Sequence, residues 1–433
     1  MTIKLALRLT LVAGVTAVGT TQAQSNNAIL DALVQKGVIT EAEADQMRRD
    51  ANERYAAADS DELPGWVKSL NFKGDLRTRY EQKHNAIEGG KPTRHRFRYR
   101  LRFGFTADMQ NDLFTGVRLV SGSTSNPNST NQTLDDPGHN DTITVDQAYA
   151  GWKGLKNFGF LAGKLPAHDK VGKISGTTGW MINKALIDSD VTPEGLELHY
   201  DIKPADTTTI GLNFGGYIMN ENSGTGEADD DSYMLMTQAV LKQKLTGTLD
   251  AALGVGVATI GAVDTLGEHV HPFDDNGGNT RSGNNPANGF TTAMYDASLT
   301  YKGWTYPIKL SGSLFDNTQV SEKDGGYSVG LKIGSAKKAG EWELGYEFRE
   351  LEADVFYDQL TDSDLGATGI KSATSYHNGT NTKGHIFKAK YNIFDNWQAA
   401  FTLLRTDPVA AVSGFNTNNE PTTRIQADLI WKF

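Results

Sequence analysis

The sequence predicts an all-β fold, a transmembrane antiparallel β-barrel of about 16 strands with a short N-terminal helical segment. Two observations lead to this fold class. From Trp66 onward, apolar and polar residues alternate with the period of a strand whose two faces meet different surroundings. The connections between these strands alternate between tight turns and long polar loops, which is the asymmetry of membrane-spanning barrels.

Composition excludes several other classes of protein. The chain has 433 residues, with 42 Lys and Arg against 52 Asp and Glu, and this mildly acidic balance argues against nucleic acid as a partner. There is no Cys, so disulfides and thiolate metal sites are excluded, and we expect no metal and no cofactor. A membrane helix needs about 20 consecutive apolar residues, and no such run follows the first part of the chain. A large soluble β-sandwich would share this composition.

The N-terminus predicts export. Lys4 and Arg8 are basic, Leu9 to Val18 are apolar, and residues 21–23 (Thr-Gln-Ala) suit a cleavage site, which together indicate a signal peptide over 1–23. The alternative is a membrane anchor, for which the apolar stretch is too short.

Residues 24–65 predict a periplasmic helical leader and linker. Apolar residues recur at helical spacing from Ile29, and Thr40 with Glu43 forms a capping-box pattern before a second helix. Pro64-Gly65 is the expected hinge. The leader either serves as a periplasmic anchor or helps subunits associate, or it is a solvated segment that packs loosely beneath the barrel.

The barrel is expected over residues 66–433. Tight turns are predicted at 109–112, 203–206, 336–340 and 394–396. Long loops are predicted at 83–93, 122–141, 167–192, 220–230, 262–289, 316–325, 351–381 and 407–421. In the last strand, apolar residues from Ile425 to Phe433 share one face, and the terminal Phe433 resembles an assembly signal of outer-membrane barrels. Several Trp residues near strand ends, such as Trp397 and Trp431, suit interfacial girdles.

Arginine is concentrated on one face of the second strand. Arg residues at 94–102 alternate with apolar residues, and the opposite register would place five Arg in hydrocarbon at about 2–4 kcal/mol each. These side chains are therefore expected to face a watery lumen, where they raise the local concentration of anions. The alternative is that they pair with loop carboxylates and contribute no selectivity. The predicted basic wall comprises Lys73, Arg77, Arg79, Arg94, Arg96, Arg98, Arg100, Arg102 and Arg118. Glu341, Glu343 and Glu347 are expected on the opposite wall.

The stretch 94–198 resembles the outer-membrane "putative porin" family, which is related in architecture to trimeric general porins. The resemblance rests on the Arg-rich strand, on 114–119 (FTGVRL), 129–134 (STNQTL), 145–149 (VDQAY), 162–164 (AGK) and 193–198 (PEGLEL), and on 34–41 (VQKGVITE) of the leader. It implies a homotrimer, with passive diffusion of small hydrophilic solutes. It also implies that a loop near 167–192 folds inward and makes the constriction, and the alternative is that this loop lies outside, over the mouth of the barrel. Through that loop it adds Asp169, Asp188, Asp190 and Glu194 as acidic constriction candidates, with Lys164 near the base of the constriction.

The function expected from these features is a porin of the bacterial outer membrane that passes anionic or polar solutes. Its expected partners are outer-membrane lipid, further copies of the chain, and the barrel-assembly machinery, which would read the C-terminal strand. A structural or adhesive barrel with a closed lumen is the alternative. A barrel-borne enzyme is less favoured, because the nine His residues stand in no recognisable Ser or carboxylate motif, so no catalytic residue is assigned.

Overall fold

The computed structural model describes residues 34, 40–46, 63–84, 93–122, 129–221, 231–266, 278–283, 285–366, 379–411 and 421–433. The signal peptide expected at 1–23 and most of the leader expected at 24–65 lie outside these residues. The chain divides into two units, Met1–Lys68 and Ser69–Phe433. No helix in the described ranges is long and apolar enough to cross a membrane.

The described part of the leader contains the helix start that the sequence indicates. Residues 41–46 are helical. The Thr40 amide donates to the Glu43 carboxylate at 2.8 Å, and the Glu43 amide donates to Thr40 Oγ1 at 3.3 Å. This reciprocal pair is a capping box, as predicted. The hydrogen bonds from the backbone and side chain of Thr40 also lower the pKa of Glu43.

The second unit is a closed antiparallel barrel that has sixteen strands within the described residues, each paired with its neighbours in the chain. The strands are β1 (Val67–His84), β2 (Thr93–Met109), β3 (Leu113–Ser121), β4 (Ile143–Trp152), β5 (Phe158–Lys164), β6 (Glu194–Ala205), β7 (Thr208–Asn220), β8 (Ser232–Lys244), β9 (Leu249–Gly261), β10 (Phe290–Tyr301), β11 (Ile308–Asn317), β12 (Gly325–Gly334), β13 (Trp342–Leu351), β14 (Thr382–Phe394), β15 (Trp397–Pro408) and β16 (Thr422–Lys432). The fold class predicted from the sequence is confirmed.

Pairing of the first and last strands closes the barrel. β1 pairs with β16 from Asp75 opposite Lys432 to His84 opposite Thr423. The terminal Phe433 continues this seam, because its amide donates to the Gly74 carbonyl at 3.0 Å and its carbonyl accepts from the Gly74 amide at 2.7 Å. A Cβ at position 74 would lie 2.3 Å from the Phe433 ring, so only glycine lets the ring lie there.

Connection lengths alternate around the barrel as the sequence indicates. Odd-numbered strands are followed by the long connections, and each long connection overlaps one of the eight predicted loops. Even-numbered strands are followed by shorter turns such as 206–207 and 395–396, except that the turn 335–341 is as long as the connection 318–324. The two ends of the barrel are named here the loop end and the turn end. In barrels of this kind the short turns are periplasmic.

Most strands have an apolar outer face and a polar inner face. On β2 the outward Phe97 is 61% exposed, whereas the inward Arg79 on β1 is 7% exposed. At the turn end, outward aromatic rings stack on each other, with Trp397 and Trp431 centroids 5.7 Å apart.

Four neighbouring strands depart from this pattern near the loop end. Inward positions of β8 to β11 there carry buried apolar side chains, which we call the apolar inner wall: Met234, Met236, Ala258, Ile260, Phe290, Met294 and Phe315. Apolar area left in water costs about 25 cal/mol per Å². This part of the wall therefore has to be covered from inside the barrel.

Two connections supply the cover. We call residues 165–193 the first inner loop and residues 352–366 the second inner loop. Leu186 and Ile187 of the first and Val355 and Phe356 of the second join the apolar inner wall in one buried cluster. The first inner loop also contains the helix α1 (His168–Ser175).

Replacing Met294 by Ala tests whether this packing stabilises the barrel. Met294 is fully buried in the cluster, and truncation of such a side chain costs about 2–5 kcal/mol. We expect a loss of that size in the free energy of unfolding, measured by urea titration in lipid vesicles. The control is Ser298→Ala, an inward position on the same strand, which should change the free energy by about 0.5 kcal/mol or less. Equal stability of the two variants would contradict the packing role.

Candidate functional site in the barrel lumen

The first inner loop crosses the lumen and bonds to strands on several sides. Trp180 Nε1 donates to Glu197 Oε2 on β6 at 2.9 Å. The Met181 amide donates to Gln238 Oε1 on β8 at 2.7 Å, and Asn183 Nδ2 donates to Ser328 Oγ on β12 at 2.7 Å. The loop is thus held at three points of the inner surface.

A buried carboxylate on the wall anchors the start of this crossing. Besides Trp180, Glu197 Oε2 lies 2.8 Å from Nε2 of His199, and Glu197 Oε1 accepts from the Tyr217 hydroxyl at 3.0 Å. His168, the first residue of α1, places Nδ1 3.5 Å from Oε1 of the same carboxylate. All five side chains are buried, and a buried carboxylate is tolerated only with several such partners.

The arginines of β1 to β3 meet carboxylates on neighbouring elements. Arg79 is bidentate to Asp428 on β16, at 2.7 and 2.8 Å. Arg102 donates to Asp190 of the first inner loop at 2.6 Å. The remaining pairs are Arg96 with Glu81, Arg100 with Asp75 at 2.6 Å, and Arg118 with Asp146.

Two arginines have weaker acidic contacts. Arg77 donates to the Asn131 side chain at 2.5 Å, and its nearest carboxylate oxygen, on Asp428, is 3.8 Å away. Arg98 donates to the Asn131 carbonyl at 3.3 Å and lies 3.9 Å from Glu81. Asp428 already forms two hydrogen bonds with Arg79, so its carboxylate compensates the charge of Arg77 less than that of Arg79.

The other members of the predicted basic wall lie near the barrel ends. Lys73 and Arg94 are exposed, and neither has a carboxylate partner in the part of the chain that the structure describes. Lys164 pairs with Glu194 at 2.5 Å. Glu194 lies two residues before the outward Leu196 on β6, so both side chains are on the outer face and Glu194 points away from the lumen. The structure thus places Lys164 and Glu194 at the rim rather than at a constriction.

The remaining acidic candidates occupy different places. Asp169 pairs with its neighbour Lys170 and contacts no arginine within the described ranges. Asp190 contacts Arg102, and although burial opposes it, the guanidinium groups of Arg102 and Arg100 lower the pKa of Asp190. Asp188 accepts from the Asp190 amide at 2.9 Å and from the Ser363 amide at 3.1 Å. Glu341, expected in the lumen, instead caps a turn by accepting from the Lys337 and Lys338 amides.

A cavity of about 360 Å³ lies between the arginines and the inner loops. Nine Lys and Arg side chains and five Asp side chains line it. A second cavity of about 550 Å³, also lined by Lys184, Ile386 and Lys388, extends along β8 to β13. Lys388 has no carboxylate partner among the described residues. The side chains that line the cavity beside the arginines are thus mostly basic, although four of them, Arg100, Arg118, Lys170 and Lys390, pair with carboxylates outside the lining.

Comparisons with known proteins agree with this architecture. The family model described as "Putative porin" matches residues 84–167 and 289–429, which is more than half of the chain. The chain belongs to the "Putative porin" family. It is an outer-membrane barrel, and the porin architecture that the sequence indicates is confirmed. A search of curated proteins found no significant match.

Similar solved structures are porins of low sequence identity. OprB of Pseudomonas putida, solved at high pH, is 12% identical with a TM-score of 0.51, over 84% of this chain and 94% of that one. An anion-selective porin from Comamonas acidovorans is 14% identical with a TM-score of 0.47, over 84% and 99%. OmpF of Salmonella typhi, in complex with daunomycin, is 7% identical with a TM-score of 0.47, over 84% and 97%.

Sequence reasoning missed most of the acidic partners in this lumen. Asp75, Glu81 and Asp428 stand at inward positions of their strands, so the alternation that placed the arginines also indicates these carboxylates. Asp362 and Asp364 belong to the second inner loop and have no such signal, because nothing in the local sequence shows that this loop enters the barrel.

Changing Glu197 tests the anchor of the first inner loop in the porin. A glutamine in its place presents an amide donor to groups that already donate, so we expect Glu197→Gln to lower the free energy of unfolding by about 3–5 kcal/mol and to increase current noise. The matched control is Glu194→Gln on the same strand, whose exposed pair contributes about 1 kcal/mol or less. Quiet single-channel currents from a stable Glu197→Gln porin would show that the anchor does not position the loop.

Proposed function

We propose that the porin forms a water-filled channel for passive diffusion of small hydrophilic solutes, and that it favours anions over cations. The observation that carries this proposal is that basic side chains predominate around the cavity beside β1 to β3, and that Arg77 and Lys388 among them have no close carboxylate among the described residues. Guanidinium groups stay ionised at any physiological pH and remain hydrated in a water-filled pore. Rings of like charge at a narrow point set the ion preference of many channels.

The ion pairs reduce this preference without removing it. Arg79, Arg100 and Arg102 each have a close carboxylate, whereas Arg77 has none nearer than 3.8 Å in the described part of the chain. Lys388 adds charge from the opposite side of the cavity. A narrow passage with low-dielectric walls focuses such an excess and raises the local concentration of anions.

We also propose the assembly that the family resemblance implies. Homotrimers in outer-membrane lipid would use the apolar outer face, and the seam formed by Phe433 at the end of β16 would be read by the barrel-assembly machinery. Processing after Ala23 would precede this assembly. Chemical crosslinking of the purified porin, with the expected product being three chains, tests the trimer.

A structural barrel with a closed lumen is the second candidate. It is favoured by the two inner loops and the apolar cluster, which occupy the lumen beside β8 to β11. Conductance separates the two functions, because a closed barrel inserts into a membrane without passing ions.

Planar-bilayer recording in a KCl gradient is the direct test. We expect discrete channels with a reversal potential on the side that indicates preference for chloride. A strong preference for potassium would contradict the anion selectivity, and insertion without channels would favour the closed structural barrel.

Replacing Arg77 by Gln tests the excess charge. Because Arg77 lines the cavity and has no close carboxylate among the described residues, its loss should lower the ratio of anion to cation permeability by about twofold, with little effect on folding. The control is Lys302→Gln, which removes one charge from an exposed turn where Lys302 pairs with Asp250. Equal reversal potentials for the two variants would show that Arg77 does not act on passing ions.

A further inference from the structure

We propose that the second inner loop is a second constriction element of this porin, and that Asp362 and Asp364 determine how much of the arginine charge a passing solute meets. This inference rests on the proposed channel function. It assigns to residues 352–366 a role in ion selection, beside that of the first inner loop.

The second inner loop begins against the apolar inner wall. Thr292 Oγ1 on β10 donates to the Val355 carbonyl at 2.6 Å, and Asn317 Nδ2 on β11 donates to the Asp354 carbonyl at 2.7 Å. Arg281 pairs with Asp358 at 2.6 Å. These contacts hold the first half of the loop inside the barrel rather than over its mouth.

The loop then meets the first inner loop. The Asp188 amide donates to the Leu360 carbonyl at 2.8 Å, and the Ser363 amide donates back to Asp188 Oδ2 at 3.1 Å. Burial, together with the carboxylates of Asp362 and Asp190, raises the pKa of Asp188 well above its usual range. Two backbone segments are thereby joined within the lumen.

The loop continues to the side of the barrel opposite its starting point. Asp362 accepts from Arg349 on β13 at 2.9 Å. Asp364 pairs with Arg424 on β16, accepts from Gln426 at 3.1 Å, and lies 3.8 Å from Arg79 on β1. The described part of the loop therefore reaches from β10 and β11 to the closing seam of the barrel.

The position of the two carboxylates explains their proposed effect. Both Asp362 and Asp364 line the cavity beside the arginines, which also contains Arg77, Arg79 and Arg102. Asp362 offsets the charge of Arg349, and Asp364 offsets that of Arg424 and part of that of Arg79. Removing either charge leaves the surrounding guanidinium groups less compensated and should strengthen the preference for anions.

The first experiment compares Asp364→Asn and Asp362→Asn with Glu322→Gln in the KCl gradient. Glu322 is an exposed acid on the connection between β11 and β12, so its loss controls for the change in net charge. We expect each asparagine variant to raise the ratio of anion to cation permeability by about twofold and the control to leave it unchanged. Identical ratios in all three variants would overturn the proposal.

A cysteine at position 363 gives a second measurement that does not depend on ion pairs. The chain has no Cys, so Ser363→Cys introduces a single thiol, at a residue that lines the cavity. Membrane-impermeant methanethiosulfonate reagents should reduce the current through this variant and leave the current of the unchanged porin intact. A current insensitive to the reagent would show that the second inner loop lies outside the solute path.

The two proposals fail in different ways. If the channel function is wrong, the unchanged porin gives no current or prefers cations. If only the role of the second inner loop is wrong, the unchanged porin conducts with anion preference. The asparagine variants then have the same permeability ratio as the unchanged porin, and the thiol reagent does not reduce the current through the Ser363→Cys variant.

Discussion

The apolar inner wall is the constraint on which the arrangement of the lumen depends. Side chains such as Met236 and Phe290 point inward from strands whose outer faces are also apolar. These side chains do not stay exposed to a water-filled lumen, because burying one side chain of this size stabilises the fold by about 1.5–3 kcal/mol. Both inner loops carry matching apolar residues and pack there. The wall thus explains why two long connections fold into the barrel instead of extending from it.

This packing also determines where open space remains in the lumen. With the space beside β8 to β11 near the loop end taken up by the inner loops, the charged cavity lies beside β1 to β3 and β14 to β16. The arginines project into this cavity from β1 to β3. The polar ends of the two loops, at Asp190 and Asp364, meet these arginines. An apolar feature on one side of the barrel therefore determines the electrostatics on the other side.

The sequence predicts the barrel well because the evidence for it is local. Alternation within a strand and the lengths of successive connections each need only a few neighbouring residues. The partner of a given charge is a different matter. Arg79 and Asp428 are far apart in the chain and meet only because β1 and β16 close the barrel. The inward apolar residues of β8 to β11 were missed for another reason, because a strand with two apolar faces shows no alternation by which to read its inner side.

The close ion pairs show that the basic wall also contributes to the structure of the barrel. Arg79, Arg100 and Arg102 tie adjacent strands and the first inner loop together, and a guanidinium whose charge is balanced attracts a passing anion less. In the proposed channel, selectivity depends on the difference between basic and acidic groups around the cavity rather than on the number of arginines. This difference is set by a few side chains, with Arg77 and Lys388 increasing it and Asp362 and Asp364 decreasing it. A barrel can consequently keep its arginine pairs for stability while single loop carboxylates adjust its ion preference.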